Sequence, residues 1–196
     1  IIIPLNLDLM KQFSESLPYK LTNAQKKSAW QILKDLEKPR PMNRLLEGDV
    51  GSGKTVVAAM AALNTAKAGY QIAFMAPTEI LAKQHYKTIT NLLKEFKLGV
   101  GLITGKENYF RDKKVTRKEL LRKVKENEVD ILIGTHAIIQ DTTPKTLEKT
   151  PLQFNNLALV IVDEQHRFGV EQRARLITNN YKLTTAQRII PHFLSM

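Results

Sequence analysis

The residues Gly48-Asp49-Val50-Gly51-Ser52-Gly53-Lys54-Thr55 constrain this chain more than any other stretch. The pattern is G-x-x-x-x-G-K-T. Leu45 and Leu46 before it can end a buried strand, and Val56 to Ala68 after it is an alanine-rich run without Pro or Gly that suits a helix. A strand, a glycine loop and a helix in that order make a phosphate-binding loop rather than a chance turn. Gly48, Gly51 and Gly53 lack a Cβ and can take positive φ. Successive backbone N–H groups, that of Ser52 included, can then turn onto a polyphosphate at the positive end of the following helix. Lys54 sits against the β- and γ-phosphates in such a loop, and Thr55 offers a hydroxyl to Mg²⁺, a hard cation that takes oxygen ligands.

A chain of 196 residues is long enough for one α/β domain with a sizeable core, here with an N-terminal extension. Lys and Arg number 30 against 19 Asp and Glu, a net charge of +11, which points to a polyanionic partner and most naturally to nucleic acid. A lysine-rich decoration of every solvated face is the alternative source of that charge. With no cysteine, a disulfide framework and a cysteine zinc site are both excluded, and the four His are scattered rather than clustered. The longest apolar runs fall well short of the ~20 residues of a membrane span, and no secretory pattern opens the chain. These features predict a soluble, cytoplasmic protein with no membrane partner. The start at Ile1-Ile2-Ile3 without Met, and the end at Leu194-Ser195-Met196 inside an apolar run, read as a piece of a longer polypeptide.

Taken in order, residues 1 to 20 carry Pro4, Pro18 and a short helix around Leu7 to Phe13, which reads as a connector from a preceding domain. Thr22 and Gln25 form a capping box for a helix whose apolar side is Ala29, Trp30, Leu33 and Leu36. Because this helix leads into the phosphate loop, Gln25 either faces a base edge of the nucleotide or serves the cap alone. Gln71 to Ala76 reads as a second strand; Pro77-Thr78 breaks it. Thr78 caps a helix to about Phe96 with Ile80, Leu81, Ile89, Leu92, Leu93 and Phe96 on its core side. A third strand, Gly99 to Thr104, ends at Gly105. The charged stretch from Lys106 to Asn127 opens a short helix at Thr116, with Leu120, Leu121 and Val124 inward; its many Lys and Arg form a solvated face or a surface for phosphates. Val129 to Gly134 is a fourth strand ending at Thr135-His136, Asp141 to Asn156 a polar loop, and Leu157 to Val162 a strand that delivers Asp163 and Glu164. Strands apolar throughout and alternating with helices predict a mainly parallel sheet covered on both faces, which binds ligand beyond its carboxyl ends.

Two carboxylates after a buried strand are poorly placed for packing and well placed for metal and water. Asp163 can hold Mg²⁺ opposite Thr55, while Glu164 can orient and accept a proton from the water that attacks a γ-phosphate. With Lys54, these are the expected catalytic residues of nucleotide hydrolysis. His166 either relays toward a neighbouring domain or is structural.

The loop at Gly48–Thr55, the run Ala76–Ala82, Thr104-Gly105, Gly134-Thr135-His136 and Asp163–Arg173 together resemble motifs I, Ia, Ib, Ic and II of superfamily 2 helicases. The version is that of the RecG family of bacterial ATP-dependent DNA helicases, over roughly residues 17 to 196. The extended motif II is the most specific part; it is shared in kind with the transcription-repair coupling factor, but Gln165 favours RecG. The resemblance implies a RecA-like P-loop domain, the first motor lobe, occupying residues 21 to 196. It implies ATP and Mg²⁺ at the loop, with Gln25 in an adenine-reading motif, and branched DNA as partner. Pro77, Thr78, Thr104, Gly105, Thr135 and His136 then match positions that hold the DNA backbone. Such enzymes regress stalled replication forks with a wedge domain and a second motor lobe bearing an arginine finger. Since this chain stops before motif III, the piece alone is expected to hydrolyse ATP weakly or not at all. The coupling factor's motor lobe, or a phosphotransferase built on the same loop, is the alternative.

Overall fold

The computed structural model describes residues 1–135, 152–163 and 190–196. Its centre is an eight-stranded sheet in the order β1-β8-β7-β2-β6-β3-β4-β5. The strands are β1 (Asn43–Leu45), β2 (Gln71–Met75), β3 (Val100–Ile103), β4 (Asn108–Phe110), β5 (Lys113–Lys114), β6 (Ile131–Gly134), β7 (Leu157–Val162) and β8 (His192–Ser195). The six strands from β1 to β3 in that order pair in parallel, and β4 and β5 add an antiparallel edge. Among the described residues, the α-helices are α1 (Leu7–Ser16), α2 (Asn23–Leu36), α3 (Lys54–Lys67), α4 (Glu79–Leu92) and α5 (Arg117–Lys125).

The two faces of the sheet can be read from alternate residues, as the two-residue period of a strand requires. Ile72 and Phe74 of β2, Ile131 and Ile133 of β6, and Leu159 and Ile161 of β7 join the core under α1 to α4. Ala73, Met75, Leu132, Val160 and Val162 face the other way, onto Leu120, Leu121 and Val124 of α5 with Leu152 and Phe154. Helices on both faces of a mainly parallel sheet are therefore present, as expected. Among the described residues, no helix is long and apolar enough to cross a membrane.

Several expectations need correction. Trp30 is not on the core side of α2: it is 49% exposed under the Lys34 ammonium, while Ile32 is buried with Ala29, Leu33 and Leu36. The i, i+3, i+4, i+7 stripe runs through Ile32, and Trp30 falls beside it. Ile80 is 79% exposed for the same reason, the buried stripe of α4 being Ala82, His85, Tyr86 and Ile89. α4 ends at Leu92, and a 3₁₀ turn over Lys94–Phe96 completes that segment. β1 is an edge strand with Leu45 exposed, so only Leu46 of that pair is buried. The charged stretch contains the β4–β5 hairpin, turned through Arg111 and Asp112, both at positive φ. β8 is a strand that the local pattern of residues does not announce.

Residues 1 to 20 pack onto the same core. Ile3 and Phe13 are fully buried, Phe13 lies 5.9 Å from Phe96 ring to ring, and Asn64 of α3 accepts from the Asn6 N–H and donates to the Pro4 carbonyl. Fully buried His192 of β8 ties this segment to the sheet edge: its Nδ1 accepts from the Met42 N–H at 2.9 Å, and its Nε2 faces the Ile1 carbonyl at 3.2 Å. A neutral ring with its proton on Nε2 satisfies both. Burial holds the His192 pKa below the ordinary 6.5, outweighing the carbonyl, which acts the other way. With the folded value depressed, the unfolded chain binds the extra proton first, so this contribution to stability is present above pH 6.5 and is lost as pH falls below it. Urea unfolding of the chain at pH 7 and pH 5.5, beside His192→Asn, checks this. The wild type is expected to lose more stability than the variant over that interval; parallel losses would contradict it.

Candidate nucleotide site

The phosphate loop follows β1 and is anchored at its start by the Leu46 N–H, which donates to the Ser195 carbonyl of β8 at 2.7 Å. The loop winds outward, leaving Val50 fully exposed at its tip, and re-enters at α3, whose N-terminal residue is Lys54. Gly51 and Gly53 have φ of 81° and 83°, a region that side chains enter only with strain. Gly48 works differently from what the sequence suggested: its φ is not positive, and a Cβ there would stand 2.7 Å from the Ser52 Oγ, which would have to turn aside. At Gly53 a Cβ would lie 2.3 Å from the Gln25 Nε2.

That close approach exists because Gln25 has two tasks. Its Oε1 accepts from the Thr22 N–H at 2.9 Å and the Thr22 hydroxyl accepts from the Gln25 N–H at 3.2 Å, forming the capping box of α2. Its Nε2 donates to the Ser52 carbonyl at 2.9 Å, so the start of α2 is bolted to the phosphate loop. Lys54 curls back over the loop, its ammonium donating to the carbonyls of Gly48 at 2.5 Å and Asp49 at 3.1 Å. A phosphate oxygen is an acceptor of the same kind with added charge, so it can take over those bonds at the same place.

The loop forms one wall of a cleft of about 890 Å³ that includes Thr55, and Leu81, Gln84, His85, Asp163 and Met196 form the other. Asp163 is fixed at the end of β7 by its N–H, which donates to the Met75 carbonyl of β2 at 2.9 Å. Its carboxylate Oδ2 lies 2.5 Å from the Nε2 of His85 on α4. The hydroxyl of Thr55 and the carboxylate of Asp163 thus share one cleft, and together they are the hard oxygen donors that Mg²⁺ takes, so the residues present fit that ion. Among the described residues, no group of three or more His, Asp or Glu gathers into a metal cluster. Glu164 and His166 lie outside the described residues.

The described residues among those matched to DNA contacts, Pro77, Thr78, Thr104, Gly105 and Thr135, stand at the carboxyl ends of β2, β3 and β6. Thr78 is exposed and caps α4, accepting from the Leu81 N–H at 3.2 Å, with Pro77 half-buried before it. Thr104 is 1% exposed, and its hydroxyl is occupied in a turn: it accepts from the Glu107 N–H at 3.0 Å and donates to the Glu107 carbonyl at 2.8 Å. Gly105 is exposed and donates its N–H to Glu79 at 2.9 Å, which links this turn to the start of α4. Thr135 is half-buried, and His136 lies outside the described residues. The charged stretch divides. Arg122 and Lys123 pair with Glu126 and Glu128, whereas Arg111, Lys113, Lys114, Lys118 and Lys125 are exposed.

His85 is the residue that sequence reasoning missed. It sits on the buried stripe of α4, with its ring 4.7 Å from that of Phe74. Its partner is 78 positions away, a pairing that only the sheet order creates.

A nucleotide-sized cleft between a phosphate loop and an acidic strand end, on a parallel sheet covered by helices, defines a RecA-like P-loop domain. The chain matches the DEAD/DEAH box helicase family over residues 22–192, and it belongs to that family. It is 45% identical over 187 residues to the ATP-dependent DNA helicase RecG of Aquifex aeolicus, covering 95% of this chain and 21% of that protein. With RecG of Bacillus subtilis it shares 48% identity over 171 residues, covering 87% of this chain and 23% of that one. A solved structure of RecG bound to a three-way DNA junction superposes over 100% of this chain and 23% of its own, with a TM-score of 0.77 and 38% identity. The crystal structure of a hypothetical ATP-dependent RNA helicase from Sulfolobus tokodaii, at 19% identity and a TM-score of 0.65, shares the fold. The chain spans about a fifth of the length of the RecG proteins it matches.

Gly53→Ala tests the loop geometry. Strain of about 1–2 kcal/mol at positive φ predicts roughly five- to thirtyfold weaker binding of a fluorescent ATP analogue. Unchanged affinity would contradict the loop's role.

Proposed function

We propose that this chain is the first motor lobe of a RecG-like DNA helicase, a translocase that couples ATP hydrolysis to the remodelling of branched DNA, including replication-fork regression in recombination and repair. The observation that carries the reading is the single cleft shared by the Gly48–Thr55 loop and Asp163, in a chain 45% identical to a RecG helicase. The RecG structure with a three-way junction supports branched DNA as the partner. In this reading residues 21–196 are the lobe, and residues 1–20 lead in from a wedge-bearing region while remaining clamped to α3.

In the reaction, the loop N–H groups and the Lys54 ammonium bind the β- and γ-phosphates and offset their charge where it grows in the transition state. Thr55 and Asp163 hold Mg²⁺, which supplies further neutralisation when bound. Glu164 orients a water and accepts its proton as the water oxygen bonds to the γ-phosphorus. The bond to the β–γ bridging oxygen breaks, leaving ADP and phosphate. Gln25 positions the loop through Ser52 and lies at the edge of the base site. Pro77, Thr78, Gly105 and Thr135 at the carboxyl ends of the strands, together with His136, hold the DNA backbone, with Thr104 shaping the turn that presents Gly105. A second motor lobe supplies an arginine finger to complete the γ-phosphate site.

ATP turnover of the full-length protein, with and without a synthetic fork, tests this reading. The fork is expected to stimulate turnover, Lys54→Ala to abolish it, and Glu164→Gln to keep ATP binding while lowering turnover by about 10²-fold or more. Turnover indifferent to DNA would instead indicate a phosphotransferase built on the same loop.

A further inference from the structure

We propose that His85 is a positioning residue for the nucleotide reaction: its Nε2–H holds the Asp163 carboxylate in the one orientation that serves a divalent cation in the cleft. The inference rests on the nucleotide reading above and assigns a support to its metal ligand. An ionised carboxylate only accepts hydrogen bonds, so at 2.5 Å from Oδ2 the proton lies on Nε2, and the ring is the donor. A carboxylate rotates broadly about its last torsion, and a bond to one named oxygen selects the rotamer.

The ring itself is well held. His85 belongs to the buried stripe of α4 with Ala82, Tyr86 and Ile89, and its ring rests at 4.7 Å and 41° on Phe74. Phe74 is fully buried in β2 and pairs with Ile161 of β7, and the next residue of β2, Met75, accepts the Asp163 N–H. The donor ring on α4 therefore rests on β2, and the carboxylate stands at the end of the neighbouring β7. Side-chain exposures of 11% and 15% leave little water to compete for the bond. A His kept only for packing would need a ring against Phe74 and no more. The 2.5 Å contact with a carboxylate at the phosphate cleft is what that role leaves unexplained.

Two variants of the full-length protein separate the roles. His85→Phe keeps a ring on Phe74 and removes the donor; His85→Gln keeps an N–H at about the reach of Nε2. The measurement is the binding of a fluorescent ATP analogue, first in EDTA and then across a Mg²⁺ titration, with kcat and KM for ATP beside it. Outer-shell partners of a metal ligand are worth about 10–100-fold, so His85→Phe is expected to raise the half-saturating Mg²⁺ by about tenfold or more and to lower kcat. Affinity in EDTA should change far less than the Mg²⁺ requirement, and His85→Gln should recover most of the loss. A wild-type Mg²⁺ requirement in His85→Phe overturns the proposal. So does an equal defect in both variants, which would mark a packing role. Lys54→Ala in the same assay separates the two levels of inference. If it too leaves binding unaltered, the nucleotide reading fails. If it weakens binding while His85→Phe is silent, only the role of His85 fails.

Discussion

The site depends on a strand that lies between its two halves. The phosphate loop follows β1 and the Asp163 carboxylate follows β7, and these strands do not touch; β8 pairs with both. β1 is three residues long with mostly exposed side chains, so burial of its own surface contributes little to holding it. What fixes it is the parallel ladder to β8, the bond from Leu46 to Ser195, and His192 beneath Met42. β8 itself is buried throughout. Any change that shifts β8 therefore moves the loop relative to Asp163, even though no β8 side chain carries the chemistry.

In and beside the cleft, the polar groups are held by the protein's own bonds. Gln25 joins the α2 cap to the loop, Lys54 is bound to loop carbonyls, and Asp163 is fixed by Met75 through its backbone and by His85 through its side chain. Groups ordered in advance cost less to align when charge develops on a bound phosphate. α4 links two regions in this scheme. Thr78 at its start is exposed at the carboxyl end of β2, and His85, about two helical turns on, touches the carboxylate. Glu79 of the same helix holds Gly105, and Lys83 pairs with Glu107, so the Thr104-Gly105 turn moves with it.

Much of this was legible in the sequence because it is local. The Thr22–Gln25 box, the glycine loop, the alanine-rich α3 and the apolar strands before Thr135 and Asp163 are written in contiguous residues. What escaped was non-local or marginal. β8 needs a parallel partner on each side, and no short-range pattern announces that pairing. The β4–β5 hairpin hid in a charged stretch because its turn uses Arg111 and Asp112 at positive φ rather than Asn or Gly. Trp30 and Ile80 look inward on their apolar character, but helical phase excludes them from the buried stripe. Gln25 illustrates the limit well. Two roles were open from its position, and the structure gives its oxygen to the cap and its nitrogen to the loop.

In the proposed function, this cleft and the carboxyl ends of the strands form one coupled unit that answers to both ATP and DNA. Coupling is reciprocal in binding free energy, so it can be measured without turnover. The direct measurement is the affinity of the full-length protein for a branched DNA with and without a non-hydrolysable ATP analogue, paired with its affinity for the analogue with and without that DNA. The account predicts that both affinities change, and by the same factor. Two affinities that ignore one another would contradict it.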